Sequence, residues 1–225
     1  MKYFLKQMIL DPTIAISINL EMFTRLKTSL NTLHAAKAVE ETYDLLIQNY
    51  LEFEQELLTI LARQMIIEEE SYDDLYTIII SRLNRRVVNL LTSTKLYYDH
   101  IEKHVRICMK DDDEGKIAKK FFSTEYDKHL EYRFMDAMRN YVQHYGLAVH
   151  SISLQRNWEE SNNHKQLVYK IQMYTWKDEL SKDKTFKKKV LLEISDKVDL
   201  LKSIRVYISS LSSVHQQVRS QIKDT

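Results

Sequence analysis

The chain has 225 residues, and its 33 lysines and arginines nearly balance its 32 aspartates and glutamates, which leaves a formal net charge of +1. This balance argues against a general polyanion binder, because such proteins usually carry a strongly basic face. Only two glycines and one proline occur, which excludes an all-β sandwich or a doubly wound α/β sheet because both need many tight turns. We therefore expect a protein built from long helices.

The same composition limits the chemistry. With so few glycines, neither of the glycine-rich phosphate-binding loops is present, so any nucleotide or phosphate would be bound by side chains. The single cysteine, Cys108, excludes an internal disulfide framework and a cysteine-rich zinc site and fits a reducing compartment. No apolar run approaches the roughly 20 residues that cross a bilayer. Lys6, Gln7 and Asp11 interrupt the apolar N-terminus, which makes it a poor signal peptide. We expect a cytoplasmic protein without a membrane partner.

The first predicted helix covers residues 14 to 66, directly after Pro12. This stretch contains strong helix formers and repeated apolar pairs such as Leu45 and Leu46. Both features are typical of a helix with one buried face.

A second long helix is predicted to begin at Ser71, because acidic residues two and three places later are typical of the turn that follows an N-cap. Its apolar residues recur at alternating spacings of four and three, as in a helix packed lengthwise against its neighbours at a shallow angle. This second-helix seam consists of Ile79, Leu83, Val87, Leu90, Thr94, Tyr97, Ile101, Val105 and Cys108. The acidic run at 111–115 is expected to end the helix.

Ser123 or Thr124 is predicted to cap a third helix, and Gly146 lies where a C-terminal glycine would stop it. Beyond this glycine, apolar and polar residues alternate in 150–155 and again in 167–174. A period of two residues predicts strands, and two such segments in succession predict a β-hairpin.

The strands of this hairpin are predicted at roughly 148–156 and 166–175, and a final helix from about 184 to 222. No repeat, low-complexity segment or domain boundary stands out. The predicted fold class is therefore mainly α. We expect an up-and-down bundle of long helices that forms a single domain over 1–225, with a small β-hairpin inserted after the third helix as an appendage at about 148–175.

The third helix is amphipathic at 3.6 residues per turn. Its apolar stripe consists of Tyr126, Leu130, Phe134, Ala137, Met138, Tyr141 and Tyr145. The opposite polar face consists of Asp136, Arg139, Asn140, Gln143 and His144. Ordinary surface helices present such a face to solvent, so the spacing alone leaves open whether these residues do chemistry.

Three residues of this polar face have a spacing that catalysis could use. Asn140 and His144 are four apart, so the amide can hydrogen-bond the imidazole and fix its orientation. Arg139 and His144 point roughly 140° away from each other. One helix therefore does not aim both at a single atom, whereas two such helices face to face would surround a shared cleft with two arginines and two histidines.

The second helix carries a polar line within an otherwise apolar element. Arg85, Asn89 and Ser93 recur at helical spacing, with Asn84 and Arg86 beside them. Polar groups in the middle of a helix need partners if they are buried. They face either solvent or another polar surface, such as that of the third helix.

These two stretches together resemble the HEPN superfamily (higher eukaryotes and prokaryotes nucleotide-binding domains). The family motif is an arginine, often followed by a polar residue, with a histidine four to six residues further on (RX4-6H). Arg139, Asn140 and His144 in RNYVQH match this motif. The upstream NRRVVNLLTS and the order of motif helix, hairpin and final helix are also similar to some bacterial HEPN proteins, and the resemblance covers residues 35–222.

The resemblance implies a homodimer with adjacent motif helices and, in many members, a metal-independent endoribonuclease that serves as a toxin or in phage defence. It assigns Arg139 to the scissile phosphate and Asn140 to positioning. It assigns His144 to the role of general base on the ribose 2′-OH or general acid to the leaving oxygen. No cofactor is implied. Independently of the family, in-line attack by a 2′-OH needs a proton acceptor that titrates near neutrality and a planar cation for the phosphorane oxygens.

Four further residues are expected to contact the RNA: Arg85 and Asn89 on the second helix, and Tyr145 and His150 beside the motif. In one toxin subgroup, an antitoxin modifies a tyrosine two places after the motif histidine. Here that position is Gly146, so this mode of regulation is not expected, and the prediction of an antitoxin or other regulatory partner rests on the resemblance alone.

His100 and His104 have a spacing that can share a metal ion, but no third ligand is evident and the zincin order of residues is not met. We therefore predict a polar helix end in solvent, without a metal site.

Two hypotheses about function follow. The first is a HEPN-like homodimeric ribonuclease that uses Arg139 and His144 and cuts RNA without a divalent metal. The alternative is a non-catalytic helical dimer that acts as an interaction or scaffold module, in which replacing these two residues changes nothing beyond stability.

Overall fold

Two long antiparallel helices, α1 (Leu20–Ile66) and α2 (Tyr72–Met109), pack along each other in a computed structural model that describes residues 1–7, 14–66, 72–161 and 164–223. The predicted cap at Ser71 lies outside the described residues. Every residue of the second-helix seam is buried, which confirms that prediction. The spacing of three and four residues turns these side chains to the face that α1 and the other helices cover.

The first helix begins later than predicted, because residues before it form a short strand. β1 (Tyr3–Leu5) pairs antiparallel with β2 (Ile16–Ile18). The Asn19 side chain then accepts a hydrogen bond from the Met22 N–H at 2.7 Å, which satisfies one of the unpaired donors at a helix start.

The acidic run at 111–115 follows the end of α2, as predicted, and it also begins the next helix. Lys110 adopts a left-handed conformation with φ of 56°, and Asp111 caps α3 (Asp112–Lys128) by accepting from the Asp113 N–H at 2.8 Å. The predicted cap at Ser123 or Thr124 is wrong, because both residues lie inside α3. A carboxylate at the start of a helix stabilises the unpaired N–H groups and the positive end of the dipole.

A break at His129, which has an extended backbone, separates α3 from α4 (Leu130–His144). The predicted stop at Gly146 is confirmed, since the helix ends at His144 and the Gly146 N–H bonds the Tyr141 carbonyl at 3.1 Å. The predicted hairpin is also confirmed. Its strands are longer than expected and form β3 (Ser151–Ser161) and β4 (His164–Trp176).

The predicted helix over 184–222 is interrupted. After α5 (Lys177–Ser181), the chain forms α6 (Lys188–Glu193), β5 (Lys197–Asp199) and α7 (Leu200–Ile222). β5 adds antiparallel to the end of β4, so the sheet order is β3-β4-β5. Asp199 ends the strand and caps α7 by accepting from the Lys202 N–H at 2.9 Å. The fold class is therefore mainly α with a small antiparallel sheet, as the composition predicts.

The helices α2, α3, α4 and α7 pack together around one cluster of buried apolar residues that also receives the inner ends of β3 and β4. Tyr97 lies in this cluster with its hydroxyl 3.1 Å from Nδ1 of the buried His215. α4 lies against α7 on one side and α6 on another, which places its polar face at the edge of the bundle.

Candidate functional site

The candidate site lies on α4, which has one buried and one accessible side. Phe134, Ala137, Met138 and Tyr141 of its predicted apolar stripe are buried. On the other side, Asn140, Gln143 and His144 are exposed. Tyr145, the last residue of the predicted stripe, is exposed just beyond the helix end. The amphipathic pattern of the helix is therefore expressed in its burial.

Arg139 leaves the polar face and turns towards the bundle. Its side chain is only 15% exposed, and one guanidinium nitrogen lies 3.6 Å from a carboxylate oxygen of Asp136. The Asn140 side-chain oxygen accepts from the same guanidinium at 3.1 and 3.4 Å. The arginine is thus held by one carboxylate and one amide of its own helix, and this arrangement fixes its direction.

Asp136 carries a second cation. Lys187, in the turn before α6, donates to the other Asp136 oxygen at 2.5 Å and lies 3.3 Å from the Tyr126 hydroxyl. Burial opposes the charge of Lys187, but the hydrogen bond and the negative charge of Asp136 outweigh it and raise the pKa of this lysine. Asp136 therefore holds two cations side by side at the end of α3 and the middle of α4.

Arg139 and Asp136 line a cavity of about 360 Å³ between α2, α3, α4 and α7. The remaining lining is mostly aromatic and consists of Thr94, Tyr98, Phe122, Ser123, Tyr126, Asp127, Tyr132, Tyr207 and Leu211. Lys119 lies over the Tyr98 ring, 3.3 Å from its centroid, at the exposed side. Flat aromatic walls with a cation at the edge suit a planar ring of a ligand.

Burial raises the pKa of two tyrosines in this cavity, Tyr132 and Tyr207. The pKa of Tyr207 is raised to about 12, and that of Tyr132 is raised further, in both cases chiefly by desolvation of the phenolate. These hydroxyls stay protonated at neutral pH, so they can donate hydrogen bonds but cannot serve as bases.

His144 lies apart from the cavity. It is exposed in the last turn of α4 and is not among the residues that line the cavity. The expected hydrogen bond from Asn140 to this imidazole does not form, because the Asn140 oxygen accepts from Arg139 instead. Within one chain, the guanidinium and the imidazole therefore point to different sides of the helix, as their five-residue separation requires.

Some residues of the predicted polar line on α2 face solvent, and others are buried. Arg85 and Asn89 are exposed. Ser93 is buried and donates to the Leu90 carbonyl at 2.8 Å within its own helix. Arg86 forms ion pairs with Glu52 and Glu56 of α1. This line therefore does not form one polar surface facing α4.

Asn84, next to that line, has a structural role that the spacing did not reveal. It is 2% exposed. Its side chain accepts from the Val149 N–H at 2.8 Å and donates to the Val149 carbonyl at 3.1 Å. One amide thus pairs both backbone groups of a residue in the connection between α4 and β3, and it anchors the segment that follows the motif.

His150 anchors the other side of the same connection. Its Nδ1 accepts from the Trp176 N–H at 3.0 Å, and its Nε2 lies 2.9 Å from the Leu147 carbonyl. These two partners define a neutral imidazole that carries its proton on Nε2. Burial lowers the pKa of His150, while the bond to Leu147 acts in the opposite direction. Both nitrogens are engaged by backbone, whereas the exposed Tyr145 is open to a ligand.

Sequence reasoning did not predict that Lys187 lies beside Asp136 or that tyrosines from several helices surround Arg139. The spacing of Asp136 and Arg139, three apart on one helix, could have indicated their ion pair. Lys187 is 51 residues away from Asp136 in the chain, and no local pattern links the two.

His100 and His104 lie with ring centroids 5.9 Å apart at a steep angle. Burial lowers the pKa of His104, with smaller effects from His100 and Lys103. Within residues 1–7, 14–66, 72–161 and 164–223, no group of three or more His, Cys, Asp or Glu side chains is arranged to hold a metal ion. The described helices also include none with the length and apolar content needed to cross a membrane.

Comparison of the chain with protein-family models, with curated proteins and with solved structures found no match.

Proposed function

We propose that the chain is a metal-independent endoribonuclease of the HEPN type that works as a homodimer, with the role of a toxin or phage-defence effector that the resemblance implies. The observation that carries this proposal is the arrangement on α4. An oriented arginine lines an aromatic cavity, and an exposed histidine follows it on the same helix.

The proposed reaction needs one cation and two proton-transfer groups. The ribose 2′-oxygen attacks the adjacent phosphorus, and the bond from phosphorus to the 5′-oxygen breaks. His144 of one copy takes the proton from the 2′-OH, and His144 of the second copy gives a proton to the leaving 5′-oxygen. The products are a 2′,3′-cyclic phosphate and a free 5′-OH. Arg139 neutralises the charge that develops on the phosphorane oxygens.

The surroundings of Arg139 support this role. Because Asp136 and Asn140 hold the guanidinium at two points, its remaining donors keep one direction. A preorganised cation costs little reorganisation when charge develops on the substrate. The aromatic side chains that line the cavity offer ring surfaces against which a base can pack.

A dimer is required for the catalytic proposal, because Arg139 and His144 diverge within one chain. Tyr145 and Leu147, both exposed beside His144, form an apolar margin through which two α4 helices can meet. Two copies related by a two-fold axis, with their α4 helices face to face, would surround one shared cleft with both arginines and both histidines.

The experiment is RNA cleavage by the purified protein in the presence of a chelator, followed by analysis of the RNA ends. We expect cyclic phosphate ends, and loss of cleavage in His144→Ala by a factor of about 10²–10⁴, the usual contribution of a positioned acid or base. Gln143→Ala is the matched control, since Gln143 is exposed on the same face of the same helix. Intact RNA with the wild-type dimer, or equal cleavage by His144→Ala, would refute the proposal.

Arg139→Lys tests the second group. Lysine keeps the charge but lacks the planar fork that binds two oxygens at once. We expect it to lower cleavage markedly while leaving the dimer intact. An unchanged rate would remove Arg139 from the mechanism.

The alternative is a non-catalytic helical dimer that acts as an interaction or scaffold module, to which an antitoxin or other regulatory partner could also bind. The observation that favours it is the engagement of Arg139 by Asp136 and Asn140 within its own chain. In that case, Arg139→Ala and His144→Ala alter only stability, and both proteins bind their partner as the wild type does.

A further inference from the structure

The N-terminal part of α1 extends beyond the helix that covers the rest of it. α1 has 47 residues and α2 has 38. Cys108, near the end of α2, lies with its sulfur 3.8 Å from the Thr32 carbonyl oxygen. Since the two helices are antiparallel, residues 20–31 continue past the end of α2 by about 18 Å, at 1.5 Å per residue. We name the described residues 1–7 and 14–33 the N-terminal arm.

The helix of this arm has its own apolar seam. Phe23, Leu26, Leu30 and Leu33 recur at spacings of three, four and three. They are 37, 44, 50 and 64% exposed, respectively. Such spacing is the pattern of a helix whose seam packs lengthwise on another helix. β1 partly covers Phe23, and no element of the described chain buries Leu26, Leu30 or Leu33.

The arm seam faces away from the bundle. The buried face of α1 begins at Ala35 and continues through Val39, Leu46 and Phe53. Leu33 and Ala35 are two residues apart, which corresponds to a rotation of about 200° around the helix. The seam therefore lies nearly opposite the face that α2 covers, so α2 cannot bury it.

The short hairpin enlarges the exposed apolar surface. Tyr3 of β1 stacks on Phe23 with ring centroids 4.4 Å apart, which ties the hairpin to the start of the helix. The exposed apolar side chains of the arm are Met1, Phe4, Leu5, Ile14, Ile16, Leu20, Met22, Phe23, Leu26, Leu30 and Leu33. Summed over the arm, these side chains expose on the order of 800 Å² of apolar area, which is comparable to the share of one partner in a standard interface.

We propose that the N-terminal arm pairs with the N-terminal arm of a second copy of this chain. The area available agrees with what a stable dimer needs, and an apolar seam without charges is complementary to itself. The charged residues of this helix segment, Glu21, Arg25 and Lys27, lie outside the seam positions. The interface is separate from α4 and does not rest on the proposed catalytic function.

The basic residues of the arm predict how salt affects this pairing. Lys2, Lys6, Arg25 and Lys27 outnumber Glu21, so like charges oppose the approach of two arms. Salt screens this repulsion and strengthens apolar contact. Added salt therefore strengthens the pairing, whereas it would weaken binding of the arm to an anionic surface such as a membrane.

The first test is sedimentation velocity on the full chain. Leu26→Glu combined with Leu30→Glu introduces charge into the seam and is expected to halve the mass of the assembly at micromolar concentration, at low and at raised salt. The matched control, Leu58→Glu combined with Leu192→Glu, changes two leucines that are also exposed but lie outside the arm. It is expected to keep the wild-type mass. Equal mass for the wild type and the seam variant, or dissociation of the wild type by added salt, would overturn the proposal.

A second test locates the contact. A two-fold axis parallel to the paired helices brings Leu26 next to Leu26 of the second copy, whereas an axis perpendicular to them at the middle of the seam brings Leu26 next to Leu30 of the second copy. The native Cys108 is buried, so Leu26→Cys provides the only accessible thiol among the described residues. We expect mild oxidation to produce a disulfide-linked dimer with Leu26→Cys alone or with Leu26→Cys combined with Leu30→Cys. The matched control is Leu58→Cys, alone or combined with Ala62→Cys, at two exposed positions of α1 outside the arm, and it should not cross-link. Equal cross-linking of the arm variants and the controls would contradict arm-to-arm contact.

The two proposals fail separately. His144→Ala should leave the mass unchanged even if it abolishes cleavage. The seam variant tests arm pairing by its mass, whatever its activity.

Discussion

Replacing Asn84 tests the anchor that fixes the chain after the motif helix. Asn84→Ala removes both hydrogen bonds to Val149, one at 2.8 Å and one at 3.1 Å. Val149 is itself buried, so its N–H and carbonyl groups would lose their partners away from water. Each of the two buried groups left unsatisfied costs about 1–3 kcal/mol, so the free energy of unfolding should fall by about 2–6 kcal/mol.

The assay is equilibrium denaturation by urea, with Asn89→Ala as the matched control. Asn89 lies on the same helix but is exposed, so its replacement should change the free energy of unfolding by no more than about 0.5 kcal/mol. A variant Asn84→Ala as stable as Asn89→Ala would refute the argument, because it would mean that the Val149 backbone groups find other partners.

Asn84→Asp refines the test by adding pH dependence. A carboxylate at this position can accept from the Val149 N–H but would repel the Val149 carbonyl, whereas a protonated carboxyl can both accept and donate as the amide does. Burial and this repulsion favour the protonated form. The deficit of the variant relative to the wild type should therefore shrink as the pH falls towards 4.

Three further predictions concern the surroundings of the motif helix. Gly146→Ala should lower the free energy of unfolding, measured by urea denaturation, by about 1–3 kcal/mol, because the added Cβ would lie 2.7 Å from the Tyr141 hydroxyl oxygen. This loss should be smaller when Gly146→Ala is combined with Tyr141→Phe. An equal loss in both backgrounds would exclude this clash. His150 is held neutral and its pKa is lowered, so its contribution to stability is fully present above the unfolded pKa near 6.5 and is lost as the pH falls below it. Thermal melts from pH 7.5 to 5 should therefore decline less steeply for His150→Gln, and parallel curves would contradict this role. Asp136→Asn removes the carboxylate partner of Lys187. The free energy of unfolding should fall by about 1 kcal/mol, after discounting for solvent screening of the half-exposed lysine. This loss should be smaller at high salt, and a loss that is independent of salt would show that charge is not its cause.

The sequence predicts a helix best where residues at one repeated spacing are buried along the whole length of the helix. The second-helix seam has this property, since its spacing alone identifies the buried face from Ile79 to Cys108. The hairpin is equally visible, because a change from a period near 3.6 to a period of two marks strands whichever surface they cover. Each of these signals is local, and tertiary contacts reinforce it.

Helix boundaries are predicted less well at serine and threonine, because these residues can either cap a helix or lie inside one. Ser123 and Thr124 resemble caps, but they lie inside α3 because the cap is Asp111. Ser and Thr also occur within helices when their hydroxyls bond the preceding turn, as Thr124 does with the Lys120 carbonyl at 3.0 Å. The interruption by β5 was missed because its pairing partner, β4, is about 20 residues away in the chain.

For the candidate site, the motif spacing identifies which residues share a polar face but not where their side chains turn. The sequence predicts that Asn140 orients His144, yet its side-chain oxygen accepts from the Arg139 guanidinium. The role of Asn84 was missed because its partner, Val149, is 65 residues away.

The amino-acid sequence by itself determines that this protein is mainly helical. It also determines which face of the second helix is buried and where the hairpin lies. Periodicity and turn residues suffice for these features because they act over a few positions. The tertiary structure alone decides that Arg139 turns into an aromatic cavity beside Lys187, that Asn84 holds the chain after the motif, and that the apolar seam of the N-terminal arm is left uncovered. These outcomes depend on which distant segments meet, and the free energy of such contacts is set by burial and partners that no local pattern encodes.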